Sequence, residues 1–347
     1  MWTTSQLTAL SHCRPQVSSW NRQASLSPAP PCHVKIIFRG SIVASPSFPM
    51  NPIDLKSVLV ATDLTESADK ALEHGIAIAR HYHATLYIVH IVSSLGFTIA
   101  GPEAVELAAE VCERDIEGLV NQLMASGKLH GVEAQAIVLK GNIDEQMESF
   151  ACARHVALIV VGTHGRQGMA RLFFGSFAQL ISKCCCCPVL TVGPHTSGPW
   201  LGNPADSERP LLFATAFDKA SAKAMPYAIS MANDFERQLF VLHVMPPHHS
   251  YLLYKDRLTH ENIEVAAREH LSALIRPAAA LKRTANFLVE FGDPAEGILR
   301  TASRIRAAAI IMGAHRDSLS DLTIRLPWLI ANRVNREAKC PVLTVRE

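Results

Sequence analysis

The chain has 347 residues, 48% of them hydrophobic and 18% charged, with a formal net charge of +2. That is room for two ordinary domains, with basic residues too scattered to leave an electrostatic footprint for nucleic acid. No run approaches the roughly 18 to 20 apolar residues of a membrane span, so neither a membrane nor a nucleic acid is expected as a partner. Nine cysteines, at 13, 32, 112, 152, 184–187 and 340, are odd in number and irregular in spacing. They argue against a secreted disulfide framework and for reduced thiols, so a cytoplasmic location is the expectation.

In chain order, residues 1–52 come first and look foreign to the rest. They are rich in Ser and Pro, carry no Asp or Glu before Asp54 and show no sustained periodicity. Such a composition predicts a disordered extension. A transit peptide is also acid-poor and Ser-rich, and a translation start at Met50 would make the extension spurious.

From residue 53 the chain repeats itself. VLVATDLTESADKAL (58–72) lies over LLFATAFDKASAKAM (211–225), and TLYIVHIV (85–92) over QLFVLHVM (238–245). VLKGNIDEQM (138–147) lies over VEFGDPAEGI (289–298), VALIVVGTHG (156–165) over AAAIIMGAHR (307–316), and PVLTV closes both copies. The domains expected are therefore 53–194 and 210–347, joined by a Gly/Pro/Asp-rich linker over 195–209.

Within the first copy, apolar runs at 57–62, 85–92, 134–139, 156–162 and 188–192 are nearly continuous, as parallel strands covered on both faces require. Between them 66–82, 103–126, 143–153 and 175–185 read as helices. Asn142 with Glu145, and Asp293 with Pro294 and Glu296, place a capping side chain at the N-cap and a carboxylate three residues on. Alternating strands and helices predict an α/β fold: two tandem open parallel sheets with helices on both faces. In such sheets a ligand sits outside the carboxyl ends of the strands, where the strand order reverses.

That rule points to Ala61-Thr62-Asp63 and to Gly162-Thr163-His164-Gly165, followed nine residues later by Gly175-Ser176 at a predicted helix start. Glycines let a backbone turn tightly and approach a ligand without a Cβ in the way. A helix start adds unpaired amides and the positive end of a dipole, a cradle suited to phosphate oxygens.

The pattern G-x-x-G-x(9)-G-S, after a buried strand and with an Asp closing strand one, resembles the nucleotide-binding signature of the universal stress protein family. The resemblance covers about 57–193 and 210–346. It implies two five-stranded sheets of order 3-2-1-4-5, of the adenine nucleotide alpha hydrolase-like kind. It further implies that Gly162, His164, Gly165, Gly175, Ser176 and Phe177 line the ribose and phosphates, that Ala61, Asp63 and Ile91 border the adenosine, and that Val161 flanks it. ATP with Mg²⁺ is the cofactor so implied, with Asp63 helping to orient the metal. In the family the last strand pairs with its twin, so 188–192 and 341–345 are expected to pair within one chain or in a homodimer.

The second copy departs from this pattern. Ala216 stands for Asp63, Arg316 for the second glycine, and Arg325-Leu326-Pro327-Trp328-Leu329 for the Gly-Ser turn. One nucleotide site per chain is expected, with the second copy a structural or regulatory partner. His164 and His315, at matching positions, read as ligand-lining or backbone-contacting groups rather than general bases. His248-His249 reads as a solvated loop, and Glu103, Glu106 and Glu110 as an exposed helix face. No Walker lysine, GxSxG elbow or zinc-type CxxC pair occurs. No catalytic residue or metal ligand set is assigned. The function expected is nucleotide binding with a sensory or regulatory role in stress. Its rivals are a slow metal-dependent ATPase or nucleotidyl transferase using Asp63, and a nucleotide-free scaffold. In the cysteine run 184–187, only Cys187 has a counterpart (Cys340). Adjacent cysteines at a helix end diverge, so packing rather than metal binding is expected of them.

Overall fold

A computed structural model describes residues 53–64, 66–93, 101–163, 187–196, 208–245, 281, 283, 285–315 and 322–347. In the first repeat, β1 (Ser57–Ala61), α1 (Glu66–Tyr82), β2 (Thr85–Ser93), α2 (Pro102–Ala125), β3 (Ala134–Gly141), α3 (Ile143–Ala153), β4 (Leu158–Gly162) and β5 (Val189–Val192) follow in order. In the second come β6 (Leu211–Ala214), α4 (Lys219–Asp234), β7 (Leu239–Met245), β8 (Asn286–Phe291), α5 (Pro294–Arg304), β9 (Ala309–Ala314), α6 (Leu322–Glu337) and β10 (Val342–Arg346). The expected helices 66–82 and 143–153 are found with those bounds. The strand predicted from 156 starts only at Leu158, because α3 ends in a tight turn there: Val156 N–H donates to the Ala151 carbonyl at 2.9 Å and His155 takes a φ of 49°. The helix expected over 175–185 lies outside the described residues.

The strands form a single sheet of order β3-β2-β1-β4-β5-β10-β9-β6-β7-β8. Each half has the expected 3-2-1-4-5 order, and every pairing within a half is parallel. The halves meet in one antiparallel pairing, β5 with β10, in which Leu343 faces Leu190, Val342 faces Thr191 and Thr344 faces Val189. The two PVLTV strings therefore pair within the chain.

On one face a continuous apolar core runs beneath α1, α2 and α4 of both repeats, from Val58, Leu86 and Ile116 through Leu190 and Leu343 to Phe213 and Val241. On the other face the core is split. Leu59, Val89, Met147 and Val161 make one cluster, and Leu212, Ile298, Ile310 and Val334 the other.

Polar contacts close the join on the first face. The Tyr82 hydroxyl at the end of α1 donates to Asp234 Oδ2 at 2.8 Å, and Ser230 Oγ donates to the same oxygen at 3.2 Å. The Tyr82 and Phe235 rings, which occupy equivalent positions of the two repeats, meet edge to face at 5.8 Å. Equivalent residues touching each other is what a two-fold interface between identical units gives; here a single chain reproduces it.

The duplication extends to backbone detail. Leu64 and Phe217 both take positive φ, at 60° and 59°, as do His83 and Glu236, at 53° and 50°. Gly141 and Gly292 both sit near 130°, where a Cβ is strained. Capping follows the sequence reading with one correction. Asp293 Oδ1 accepts from Glu296 N–H at 2.8 Å as expected, whereas Asn142 Oδ1 accepts from Asp144 rather than from Glu145. The start of the linker is folded down: Lys70 Nζ donates to the carbonyls of Pro194 and Thr196. Cys340 is buried and Cys187 half-buried, both as free thiols, and burial pushes the Cys340 thiol up to about 12, beyond any physiological ionisation. Cys184 to Cys186 lie outside the described residues. Among the described residues no helix is long and apolar enough to cross a membrane.

Because Leu343 is buried in the core shared by both repeats, Leu343→Ala should cost about 2–5 kcal/mol. Hydrogen exchange should show β1 and β6 losing protection together; a loss confined to the second repeat would contradict the shared core. A second prediction concerns His74, which is 1% exposed in α1. Its Nδ1–H donates to the Lys70 carbonyl at 2.8 Å, leaving Nε2 without a partner. Burial holds its pKa below the ordinary 6.5. The unfolded chain therefore takes up a proton near 6.5 that the folded chain refuses, so stability is full above that pH and falls as pH drops below it. Urea titrations between pH 7 and 5 should show this fall, shallower in His74→Leu.

Candidate functional site

The site expected from sequence lies at the carboxyl ends of β1 and β4, neighbours at the point where the strand order reverses. Ala61 faces Val161 across this pair and Val89 across the other. Ala61, Ile91 and Val161 belong to one apolar cluster, with Met147 and Val89. They are 3%, 9% and 0% exposed, so they form the floor of the mouth rather than an open wall. Asp63 and Gly162 stand above it, both half-buried. His164, Gly165, Gly175, Ser176 and Phe177 lie outside the described residues. The structure thus brings together Ala61, Asp63, Ile91, Val161 and Gly162 of the ten expected residues.

Two side chains that the sequence reading passed over shape this mouth. His90 Nδ1–H donates to the Thr62 carbonyl at 2.8 Å, and Thr62 Oγ1 accepts from Leu64 N–H at 3.0 Å. Together with Thr62 N–H on the Val89 carbonyl at 2.9 Å, they fix the turn that carries Asp63. The second repeat has the same device: His243 on the Thr215 carbonyl at 2.8 Å and Phe217 N–H on Thr215 Oγ1 at 3.1 Å. The signal was present in the aligned strings IVHIV and VLHVM, and in the Thr common to ATD and ATA.

At the mouth of the second repeat three side chains pair with one another. Asp218 caps α4 by accepting from Ser221 N–H at 2.7 Å, and Ala216 N–H donates to Ser221 Oγ at 3.0 Å. His315 Nε2 lies 2.8 Å from Asp218 Oδ2 and its Nδ1 2.7 Å from Glu347 Oε2. Carboxylates stand on both sides of this imidazole, where a phosphate would meet negative charge. The Asp218 carboxyl is held below its ordinary 3.8: burial works against ionisation, but the Ser221 hydroxyl and amide and then His315 outweigh it.

The rest of the second motif is also rebuilt. α6 already begins at Leu322, so 326–329 lie past its first turn. Amides there are bonded within the helix, apart from Pro327, which has none, and cannot serve as a cradle. Gly313 survives for a different reason from ligand approach. A Cβ there would lie 2.2 Å from the Ala220 carbonyl carbon and 2.5 Å from Ser221 N. The glycine lets β9 pass beneath the start of α4. Among the described residues no group of three or more His, Cys, Asp or Glu is arranged to hold a metal ion.

The fold defines a tandem pair of open parallel α/β domains, each with a mouth at the central strand reversal and only the first with the glycine pattern intact in sequence. The universal stress protein family profile matches residues 55–193 and 208–346, and the chain belongs to that family. A universal stress protein of Methanocaldococcus jannaschii is 28% identical over 138 residues, covering 40% of this chain and 81% of its own. The YxiE universal stress protein of Bacillus subtilis is 31% identical over 144 residues, covering 39% and 97%. Among solved structures, a universal stress protein from Archaeoglobus fulgidus superposes with a TM-score of 0.64 at 16% identity, over 86% of this chain and 98% of that one. A protein of the same description from Pseudomonas aeruginosa gives 0.55 at 18%, over 84% and 93%.

Replacing an N-cap side chain costs about 1 kcal/mol, and Asp218 also holds His315. Asp218→Ala should therefore lower stability at pH 7 by about 1–2 kcal/mol in urea denaturation. Since the folded-state pKa is depressed, this contribution is present above pH 3.8 and is lost as pH falls further, so variant and parent should converge in acid.

Proposed function

We propose that the first repeat binds an adenine nucleotide, ATP with Mg²⁺, and that the second does not. The observation that carries this reading is the contrast between the two mouths. In the first, the Thr62–His90 turn presents Asp63 beside Gly162, ahead of a sequence rich in glycine and helix-start donors. In the second, the same turn is kept while Asp218, His315 and Glu347 fill the opening. Asp63 and the G-T-H-G and G-S segments fit a magnesium nucleotide chemically: a carboxylate for the cation's water shell and side-chain-free amides for phosphate oxygens. Bound Mg²⁺ would neutralise phosphate charge; the chain's own part is to orient the nucleotide and exclude water from its base.

On this reading the role is binding coupled to regulation in stress, and hydrolysis, where it occurs, is slow because no general base is assigned. Isothermal titration of the full chain with ATP and Mg²⁺ should give one site per chain. Gly175→Trp, which puts an indole where the second repeat has Trp328 or its neighbours, should abolish that site, and Asp63→Ala should weaken it at least tenfold. No binding, two equal sites, or binding unaffected by Gly175→Trp would overturn the proposal.

A further inference from the structure

Helix α2 is the most exposed long element of the described fold, and its outer surface has an order that the nucleotide site does not explain. Its inward stripe is narrow: Ala109, Ile116 and Leu123 are buried one heptad apart, with Val105, Cys112 and Leu119 half-buried beside them. This stripe packs on β2 and β3. On the outward side Leu107 is 61% exposed and Val111, one turn on, is 43% exposed. Two large apolar residues at i and i+4 stand side by side on a helix surface, and half-buried Ala104 and Ala108 continue the apolar strip.

Along one flank of that strip run Glu103, Glu106, Glu110, Glu113 and Glu117, all exposed and spaced three, four, three and four residues apart. This spacing sets five carboxylates in one ridge. Among the described residues, only Lys140 forms a salt bridge with the ridge, through Glu106. Arg114 is folded back on the Glu110 carbonyl at 3.3 Å, and Asp115 adds a further exposed carboxylate. Five like charges at this spacing repel one another along an isolated helix, so the helix bears a cost on this face that its packing against the sheet does not require.

We infer that the outer face of α2 is a docking surface for a cationic amphipathic segment of a partner protein. The partner would place large apolar side chains against Leu107 and Val111 and Lys or Arg against the glutamate ridge. Charge disfavours the symmetric and anionic occupants. A second copy would bring one glutamate ridge against another, and anionic lipid or nucleic acid would meet the same repulsion. An apolar anchor beside a ridge of one sign is the pattern by which a helix lying in a groove reads both spacing and charge. The nucleotide reading of the first repeat is not needed for this inference, and neither result decides the other.

The test uses the full chain and a fluorescein-labelled 14-residue helical peptide of Leu and Lys, with leucines at i, i+3 and i+4 spacing. Anisotropy at 50 mM and 150 mM salt should show saturable binding that weakens with salt. Leu107→Ser with Val111→Ser should weaken binding at least tenfold at fixed salt. Glu110→Lys with Glu113→Lys should do the same and flatten the salt dependence. All four side chains are exposed, and far-ultraviolet circular dichroism with urea denaturation confirms that the variants stay folded. Absence of saturable binding, or binding indifferent to Leu107→Ser with Val111→Ser, overturns the inference by reducing the face to non-specific charge. A dimer in sedimentation that the serine pair dissolves also overturns it, in favour of a second copy. So does a tenfold gain in peptide affinity when Arg14, Arg22, Lys35 and Arg39 are changed to Gln, which would make the chain's own residues 1–52 the occupant.

Discussion

The antiparallel pairing of β5 with β10 is the constraint on which the rest of the molecule depends. Each repeat ends in a strand whose outer edge would otherwise present unpaired amides and carbonyls, a liability in any open sheet. Joining the edges through Leu190 and Leu343 turns two five-stranded sheets into one of ten. It also brings α1 and α4 side by side and lets a single apolar core pass beneath both. The Tyr82–Asp234–Ser230 contacts follow from that juxtaposition: burial and the Asp234 carboxylate together keep the phenol protonated, so it stays a hydrogen-bond donor across the join. The second repeat's structural role is thus tied to its last strand, and this role is independent of whether its own mouth takes a ligand.

Most of this was legible in the sequence because it rests on periodicity and repetition. Continuous apolar runs announced parallel strands, the second PVLTV string announced a duplication, and the shared edge was implied by family resemblance. The strand order came from family resemblance, and the pairing of Ala61 with Val161 now gives it a register. What stayed hidden is what depends on side chains meeting across long sequence distances. Nothing in the spacing of Asp218, His315 and Glu347 marks them as one cluster; the fold brings them together by ending β9 and β10 beside the start of α4. Gly313 belongs with them. A glycine beside a strand end suggests ligand approach, but here the nearest atoms are the backbone of Ala220 and Ser221. Asn142 shows the same limit on a smaller scale: the sequence marked the cap, while local geometry chose Asp144 over Glu145 as its donor.

The two repeats form an internal control that separates folding requirements from binding requirements. Features present in both copies serve the fold: the histidine of the second strand on the threonine carbonyl, the positive φ after it, and the glycine near 130° before the third helix. All of them surround the mouth, and without the second copy each would pass for a ligand-binding device. Their persistence in a mouth closed by its own carboxylates shows that they shape the strand-to-helix turn whether or not anything binds there. What distinguishes the first copy in sequence is then a short set: Asp63 in place of alanine, Gly165 in place of Arg316, and the pair Gly175-Ser176 where the second copy reads Arg325-Leu326-Pro327-Trp328-Leu329. In sequence the copies differ at glycines and one carboxylate, the residue types a phosphate and its cation would need, while the apolar floor is common to both. The second copy keeps its apolar floor and its place at the seam, and its departure from the glycine pattern is the strongest reason to look for a nucleotide in the first repeat alone.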